Sequence, residues 1–260
     1  MQHRAHRVHA LFEGSNRAIL PCPRTGIGMA TPQHGILEEA DRFAYFLVLG
    51  ARDGTGPDRA LARVVAAVPA LATAVAGLDP AARLRCVLGI GARLWGRMLP
   101  GKRPRELRPF DPIDGARLHA PSTGGDVLLH IVSGRADLNF ELARRARQAL
   151  APYTGLLEEV AGFRYLDSRD LTGFIDGTEN PKGDERANVA LVGGEDPTFA
   201  GGSYVLTQRY VHDLDRWARV PTAAQERVIG RTKGDSVELG EQAKPATAHI
   251  SRVVIEADGR

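Results

Sequence analysis

The chain has 260 residues, of which 43% are hydrophobic and 25% are charged, and its formal net charge is +3. These values are typical of a soluble globular protein and exclude a disordered chain. The longest basic cluster, 102–105, is short and contains no aromatic residue, so no nucleic-acid partner is predicted. No stretch reads as a membrane span, and Cys22 and Cys86 match no metal or redox spacing. We therefore expect a cytoplasmic protein with reduced thiols and no membrane partner.

The first part of the chain alternates apolar runs with segments of helical periodicity. Strands are predicted at 43–50, from residue 83, at 126–134 and at 156–168; helices are predicted at 58–77, kinked or ended early by Pro69, and at 135–153; a long surface connection is predicted at 97–125. The resulting β-α-β-β-α-β order is the ferredoxin-like pattern, in which two helices cover one face of an antiparallel sheet. We expect residues 1–28 to form a disordered leader and residues 29–170 to form this domain.

From residue 171 the pattern restarts and then breaks off. A strand is predicted at 203–211, helical segments at 213–231 broken by Pro221, and strands at 235–239 and 248–257. These elements supply only the first part of a second β-α-β-β-α-β unit. The predicted fold class is therefore α+β, with two ferredoxin-like halves whose antiparallel sheets are covered by helices. The second half, 171–260, is expected to be incomplete.

The segment LTGFIDGTENP, 171–181, places the carboxylate of Asp176 directly before a glycine and near an Asn-Pro break. Asp before Gly is common turn chemistry, because the Asp side chain bonds nearby backbone and glycine accepts a positive φ. The apolar residues before Asp176 instead favour a carboxylate held against a core for proton transfer. Both interpretations stay open on the motif alone. An aspartyl phosphatase is excluded, because Phe174 stands where that chemistry requires a nucleophilic Asp.

Five segments, taken in chain order, resemble those of the dye-decolourising peroxidases. They are PQHGIL (32–37), GFRYLDSRDLTGFIDGTENP (162–181), GGSYVLTQRYVHDLDRW (201–217), QERVIGRTKGDSVEL (225–239) and AHISRV (248–253). The likeness covers nearly everything from residue 30 onwards and is nearest to the shorter, bacterial, cytoplasmic branch. It implies two ferredoxin-like halves and a bound haem b, neither activity nor cofactor being evident from composition or periodicity.

The resemblance also implies roles for residues of the 171–181 segment. Asp176 matches the distal carboxylate, which would move a proton between the two oxygens of hydrogen peroxide. Gly173 and Gly177 would keep bulk away from the haem face, and Thr178 and Asn180 would support the loop. Glu179, between them, is assigned either to support or to solvent.

The resemblance implies that His249 is the proximal ligand of the haem iron. His130 and His212 are its rivals, although His130 falls in the half that does not hold haem in this family. His212 is interpreted as structural or as a neighbour of the haem propionates. Arg209 is a candidate partner of a propionate, because a guanidinium suits a carboxylate.

The chain departs from the family pattern after His249. The family's distal arginine lies on the strand that follows the proximal His, and no residue here matches it. Arg252 is not substituted for it, because three residues along the expected strand point to the opposite face. We therefore expect a chain shortened at its C-terminus, with an exposed sheet edge.

The function implied is a haem peroxidase that uses hydrogen peroxide to oxidise dyes, phenolics or other aromatic donors by one-electron steps. The alternatives are a haem-handling protein that releases iron, in the manner of a deferrochelatase, and an inactive haem-binding remnant or stress module. A homo-oligomer is expected if the fold is complete, and packaging into a protein shell occurs in the family.

Overall fold

The computed structural model describes residues 7–10, 31–54, 58–116, 118–166 and 168–253. Its strands are β1 (Arg7–Ala10), β2 (Phe43–Ala51), β3 (Arg85–Ile90), β4 (Ile113–Asp114), β5 (His119–Ala120), β6 (Val127–Ser133), β7 (Thr154–Phe163) and β8 (Thr207–Tyr210). Its α-helices are α1 (Asp58–Ala76), α2 (Ala92–Met98), α3 (Ala136–Leu150), α4 (Glu185–Ala190), α5 (Leu214–Ala218), α6 (Thr222–Ile229) and α7 (His249–Val253). Short 3-10 turns lie at Pro80–Ala82 and Pro197–Phe199.

A four-stranded antiparallel sheet in the order β3-β6-β2-β7 forms the centre of the N-terminal part. Helix α1 connects β2 to β3 and helix α3 connects β6 to β7, which gives the predicted β-α-β-β-α-β order. This arrangement confirms the α+β, ferredoxin-like prediction for this part of the chain. Helix α2, which follows β3 after Gly91, was not predicted from the sequence.

The core of this part lies between the sheet and helices α1 and α3. In β2, alternate side chains are buried, and Leu47 and Leu49 are almost fully so. From α1, Val65 and Val68 pack against this face, and Leu142 does so from α3. Apolar side chains recur at every second residue along the strands and at every third or fourth residue along the helices. Both sets therefore face the same apolar layer.

Helix α1 is the one described helix that is long and apolar enough to cross a membrane, over Arg59–Ala76, with a mean hydropathy of 1.5. Its buried valines belong to the core of the sheet layer, as in a core helix of a folded domain. The helix continues past Pro69 to Ala76, so Pro69 does not end it.

The PQHGIL segment protects one edge of the sheet. The side-chain amide of Gln33 donates to the Leu88 carbonyl at 2.9 Å, and its oxygen accepts from the Leu88 amide at 2.9 Å. Leu88 lies on β3, the edge strand, whose backbone groups would otherwise offer a template for another chain. One side chain thus replaces one residue of a missing neighbouring strand.

The chain divides into two compact units, each with many contacts within itself, and each unit is built from more than one stretch of the sequence. One unit contains 28–163 and 186–205, and within it Arg186 pairs with Glu39 at 2.7 Å. The other contains 1–27, 164–185 and 206–260, in which β1 pairs antiparallel with β8. Strand β1 falls inside the predicted leader 1–28, whose other residues lie outside the described part. The division into domains 29–170 and 171–260 stays a prediction.

The C-terminal elements follow the sequence prediction in part. Helices α5 and α6 flank Pro221 as predicted, and β8 covers only the later half of the predicted strand 203–211. The strand predicted at 235–239 is wrong, because Ser236 has a φ of 61° and only an isolated bridge joins Arg231 to Glu238. Residues 249–253 of the other predicted strand form helix α7, and 254–257 lie outside the described residues.

Candidate functional site

The Asp176 loop, defined as residues 169–180, begins with a tight turn. The Asp170 amide donates to the Phe174 carbonyl at 2.9 Å, and the Gly173 amide donates to the Asp170 carbonyl at 2.9 Å. The Asp170 carboxylate accepts from both the amide and the hydroxyl of Thr172. Gly173 has a φ of 90°, a conformation that other residues rarely adopt. These bonds fix the turn that leads to Asp176.

Phe174 anchors the loop to the rest of its unit. Its side chain is only 4% exposed, and its ring centroid lies 6.4 Å from that of Trp217 on α5. The Trp217 indole donates to the Thr172 carbonyl at 2.9 Å, so the same side chain also binds the backbone of the loop. An apolar anchor thus stands two residues before Asp176, as the sequence indicated.

Asp176 itself is exposed, so the expectation of a carboxylate held against a core is wrong for its side chain. Its amide donates to the Ser168 carbonyl at 2.9 Å, and its Oδ1 accepts from the Gly177 amide at 3.0 Å. Asp176 is therefore a turn residue whose carboxylate also reaches the surface. The turn interpretation of the motif therefore holds, and a role of the carboxylate in proton transfer stays a prediction.

The remaining predicted residues of the loop lie close to one another. Gly177 has a φ of 70°, and a Cβ added there would lie 2.7 Å from the side-chain nitrogen of Asn180. The Asn180 amide donates to the Gly177 carbonyl at 3.2 Å, and the Thr178 hydroxyl lies 3.5 Å from a Glu179 carboxylate oxygen. Asp176, Gly173, Gly177, Thr178 and Asn180 are thus brought together in one short loop.

His249 lies at the first residue of α7, in the same compact unit as the Asp176 loop. Its side chain is exposed, whereas the preceding Ala248 is fully buried. The Ala248 amide donates to the Pro245 carbonyl at 2.9 Å and starts the turn that becomes α7. Because α7 is a helix, Arg252 lies on the same side as His249, which corrects the opposite-face argument made for a strand.

The other two candidates of this half lie at or beside β8. Arg209 is exposed on β8, where it is in register with Val8 of β1. The His212 ring stacks near that of Tyr210, with centroids 6.5 Å apart and an interplanar angle of 17°. Neither Arg209 nor His212 therefore belongs to the Asp176 loop.

His130 is a structural histidine of the N-terminal sheet. Its ring stacks on Phe46 of the neighbouring strand, with centroids 4.5 Å apart and an interplanar angle of 10°. Burial lowers the pKa of His130 from 6.5 to about 4, and the positive charge of Arg85 adds to this effect. The imidazole is accordingly neutral at pH 7 and serves the packing of the sheet.

We expect His130 to make the fold sensitive to acid. The unfolded chain takes up a proton near pH 6.5 and the native chain only near pH 4, so stability is complete above 6.5 and falls between these values. The loss between pH 7.5 and 4.5 should be about 2 kcal/mol larger in the native protein than in His130→Phe. Urea unfolding at both pH values measures it, and an equal loss in the two proteins would contradict the assignment.

Sequence reasoning missed three basic side chains that hold the Asp176 loop. The Arg169 guanidinium donates to the carbonyls of Gly173 at 2.8 Å, Lys233 at 2.6 Å and Gly234 at 2.9 Å. Arg231 forms an ion pair with Glu179 at 2.6 Å, and the Glu179 side chain is 81% exposed, so both assignments of Glu179 stay open. The Lys233 ammonium lies 5.6 Å from the centroid of the Phe174 ring.

The family models and curated proteins that match this chain agree with one another. The description "Dyp-type peroxidase, N-terminal" matches residues 33–164, and "Dyp-type peroxidase, C-terminal" matches residues 167–260. The dye-decolorizing peroxidase of Rhodococcus erythropolis is 42% identical over 227 residues, which are 87% of this chain and 66% of that protein. That of Mycobacterium tuberculosis is 42% identical over 215 residues, covering 83% and 64%. The chain therefore spans less than two thirds of these relatives.

Solved structures give the same assignment. The encapsulated DyP-type peroxidase of Mycobacterium smegmatis superposes with a TM-score of 0.83 at 41% identity, covering 88% of this chain and 74% of that one. A variant of DypB from Rhodococcus jostii RHA1 in complex with heme superposes with a TM-score of 0.83 at 42% identity, covering 90% and 75%. The predicted resemblance is confirmed: this chain belongs to the Dyp-type peroxidase family.

Proposed function

We propose that this chain is a haem peroxidase that binds haem b through His249 and reacts with hydrogen peroxide through Asp176. The observation that carries the proposal is the placement of an exposed imidazole and an exposed carboxylate in one compact unit. Membership of the Dyp-type peroxidase family supports it, as does the heme bound by the Rhodococcus jostii relative.

The residues of this unit fit a haem better than a metal site built from protein ligands alone. Among the described residues, no group of three or more His, Cys, Asp or Glu side chains is placed to hold a metal ion. Haem would need only one protein side chain on its iron, because the macrocycle itself supplies four nitrogens. His249 offers that imidazole, and the exposed Val253 follows one helical turn later with an apolar surface that suits the macrocycle.

The role of Asp176 follows from its exposed carboxylate. Haem, when bound, supplies the redox chemistry by which peroxide is reduced and aromatic donors are oxidised. Asp176 would accept a proton from one peroxide oxygen and donate it to the other, so that water can leave. Gly173 and Gly177 hold the loop in a backbone conformation that needs φ values of 90° and 70°. Thr178 and Asn180 would support it, and Arg209 would bind a haem propionate through its guanidinium.

The donors proposed are phenolics, dyes and other small aromatic reductants, oxidised in one-electron steps. The test is peroxide-dependent oxidation of guaiacol and of an anthraquinone dye by the haemin-loaded chain. Turnover that requires both haemin and peroxide is the expected result. Release of ferrous iron to a chelator under reducing conditions, without peroxide turnover, would favour the deferrochelatase-like alternative instead. Haemin binding without either activity would favour an inactive haem-binding protein.

The assembly and the cellular location of the protein are also proposed. The family and the encapsulated relative of Mycobacterium smegmatis support packaging inside a protein shell, and the protein is proposed to assemble as a homo-oligomer. The cytoplasm is the proposed location, because the Cys86 thiol is free and a reducing compartment keeps it so.

A further inference from the structure

The turn that follows α6, defined here as the 230–237 turn, is ordered by its own hydrogen bonds. The Thr232 amide donates to the Val237 carbonyl at 2.8 Å, and the Val237 amide donates to the Thr232 hydroxyl at 2.9 Å. The Thr232 hydroxyl in turn donates to the Asp235 carboxylate, and this bond lowers the pKa of Asp235. The turn is therefore a defined structure rather than a loose connection.

The 230–237 turn binds the Asp176 loop on both sides of Asp176. Before Asp176, Arg169 donates to the Lys233 carbonyl at 2.6 Å and to the Gly234 carbonyl at 2.9 Å. After it, Glu179 pairs with Arg231 at 2.6 Å. The segment that carries the carboxylate is thus held at two points by one short turn. The Arg169 bonds are the stronger ones, because they are charge-assisted, whereas the Glu179 side chain is 81% exposed and water screens its pair with Arg231.

Side-chain packing adds a third contact between the turn and the loop. The Lys233 ammonium lies 5.6 Å from the Phe174 ring centroid and donates to the Gln225 side chain at 2.6 Å. A Cβ on Gly173 would stand 2.7 Å from Lys233 Cε, so the glycine permits this close approach. The Lys233 side chain therefore lies directly against the residues that precede Asp176.

The same turn also packs against the helix that carries His249. Gly230 has a φ of 98°, and a Cβ there would lie 2.5 Å from Ile250 Cγ1 and 3.3 Å from Ala248 Cβ. These two residues stand on either side of His249 in the chain. The 230–237 turn therefore contacts the Asp176 loop through residues 231–234. It contacts α7 through Gly230, the first residue of the turn.

We propose that the 230–237 turn is the element that sets the position of Asp176 relative to His249, with Arg169 as the positioning residue that joins the loop to the turn. The proposal rests on the proposed function for its catalytic consequence, but the structural coupling stands by itself. A misplacement of about 1 Å in a reacting group can lower a rate by about a hundredfold. A guanidinium suits position 169 because its planar fork can donate to three carbonyls at once, which an ammonium cannot match in geometry.

Hydrogen exchange of the unloaded chain tests the coupling without haem. In Arg169→Gln, amides of 170–180 should exchange about tenfold faster or more, because charged hydrogen bonds hold the loop closed. Amides of 43–51 in the other unit should not change. Arg227→Gln is the matched control, since it removes the same charge from an exposed position of α6. Unchanged exchange of 170–180 in Arg169→Gln would overturn the proposal.

A pair of glycine variants tests the contact with α7. Gly230→Ala places a methyl group against Ile250 and should speed the exchange of amides in 248–253. Gly234→Ala is its control within the same turn, because a Cβ there meets no atom within 4 Å. Equal exchange of 248–253 in the two variants would contradict a role of the turn in holding α7.

Haemin-loaded protein shows whether the coupling serves the reaction. Arg169→Gln should bind haemin as tightly as the native chain, yet react with peroxide about tenfold to a hundredfold more slowly. Glu179→Gln should change the peroxide rate much less, because the Glu179 side chain is 81% exposed and water screens its pair with Arg231. Arg169→Lys should recover part of the rate. A normal peroxide rate in Arg169→Gln would overturn the catalytic part of the proposal. If the native chain shows no peroxide reaction, the proposed function fails, whereas hydrogen exchange still decides the structural part.

Discussion

Replacement of Asp176 by Asn is expected to slow the reaction of the haemin-loaded chain with peroxide by about 10²- to 10⁴-fold, the range typical of a lost general acid–base group. The amide has the shape of the carboxylate but cannot accept the peroxide proton. The loop should remain folded, because the Asn side-chain oxygen can still accept from the Gly177 amide, which lies 3.0 Å from the Asp176 oxygen. Stopped-flow absorption after mixing with peroxide measures the rate.

Two comparisons make the Asp176→Asn result specific. Haemin affinity should equal that of the native chain, since Asp176 is not proposed as an iron ligand. Asp184→Asn removes a neighbouring exposed carboxylate and should leave the peroxide rate unchanged. A rate for Asp176→Asn within a factor of about three of the native rate would contradict the assigned role.

The largest effect on stability is expected from Asp126→Ala. Asp126 is 4% exposed, and its carboxylate accepts from the Ala51 amide at 2.7 Å and from the Arg93 guanidinium at 3.1 Å. Its loss leaves the buried Ala51 amide without this acceptor and removes the main partner of Arg93. We expect the free energy of unfolding to fall by about 3 kcal/mol, measured by urea unfolding at pH 7.

Asp53→Ala is the matched control for Asp126→Ala. Asp53 also contacts Arg93, at 3.4 Å, but its side chain is 86% exposed. Water and salt screen such a pair, so the free energy of unfolding should change little. Similar losses in the two variants would show that burial of Asp126 is not what makes its contacts matter.

The N-terminal half was predictable because its local signals and its packing agree. Each strand of the sheet presents alternate residues to one apolar layer, and the helices repeat their apolar residues with helical spacing. Helix α2 was missed because its start depends on a distant contact. A Cβ on Gly91 would lie 2.1 Å from the Gly125 carbonyl oxygen, an approach that no local pattern reveals.

In the C-terminal half, strands were predicted wrongly where β-branched residues occur outside strands. The run 248–257 is rich in Ile and Val and reads as a strand, yet 249–253 is helical. Tertiary contacts decide there: Ile250 packs against Gly230, and the Ser251 hydroxyl donates to the Pro245 carbonyl at 3.3 Å. At Ser236, a left-handed backbone ends the apparent strand 235–239.

The motif identified Asp176 as a candidate, but the sequence alone did not show what holds it. Arg169 reaches Lys233 and Arg231 reaches Glu179 across intervals of 64 and 52 residues. Such pairs depend on how distant segments meet in the fold, which periodicity and turn chemistry do not encode. The QERVIGRTKGDSVEL segment resembles a family block, and the structure shows that this segment contacts the Asp176 loop.

A haemin titration followed by visible absorption tests most directly whether His249 holds a haem in this chain. The native chain should show a saturable shift of the Soret band at one haemin per chain. His249→Ala should lose that shift while its far-ultraviolet circular dichroism stays native. A saturable Soret shift of equal affinity and position in His249→Ala, or no shift in the folded native chain, would contradict His249 as the iron ligand.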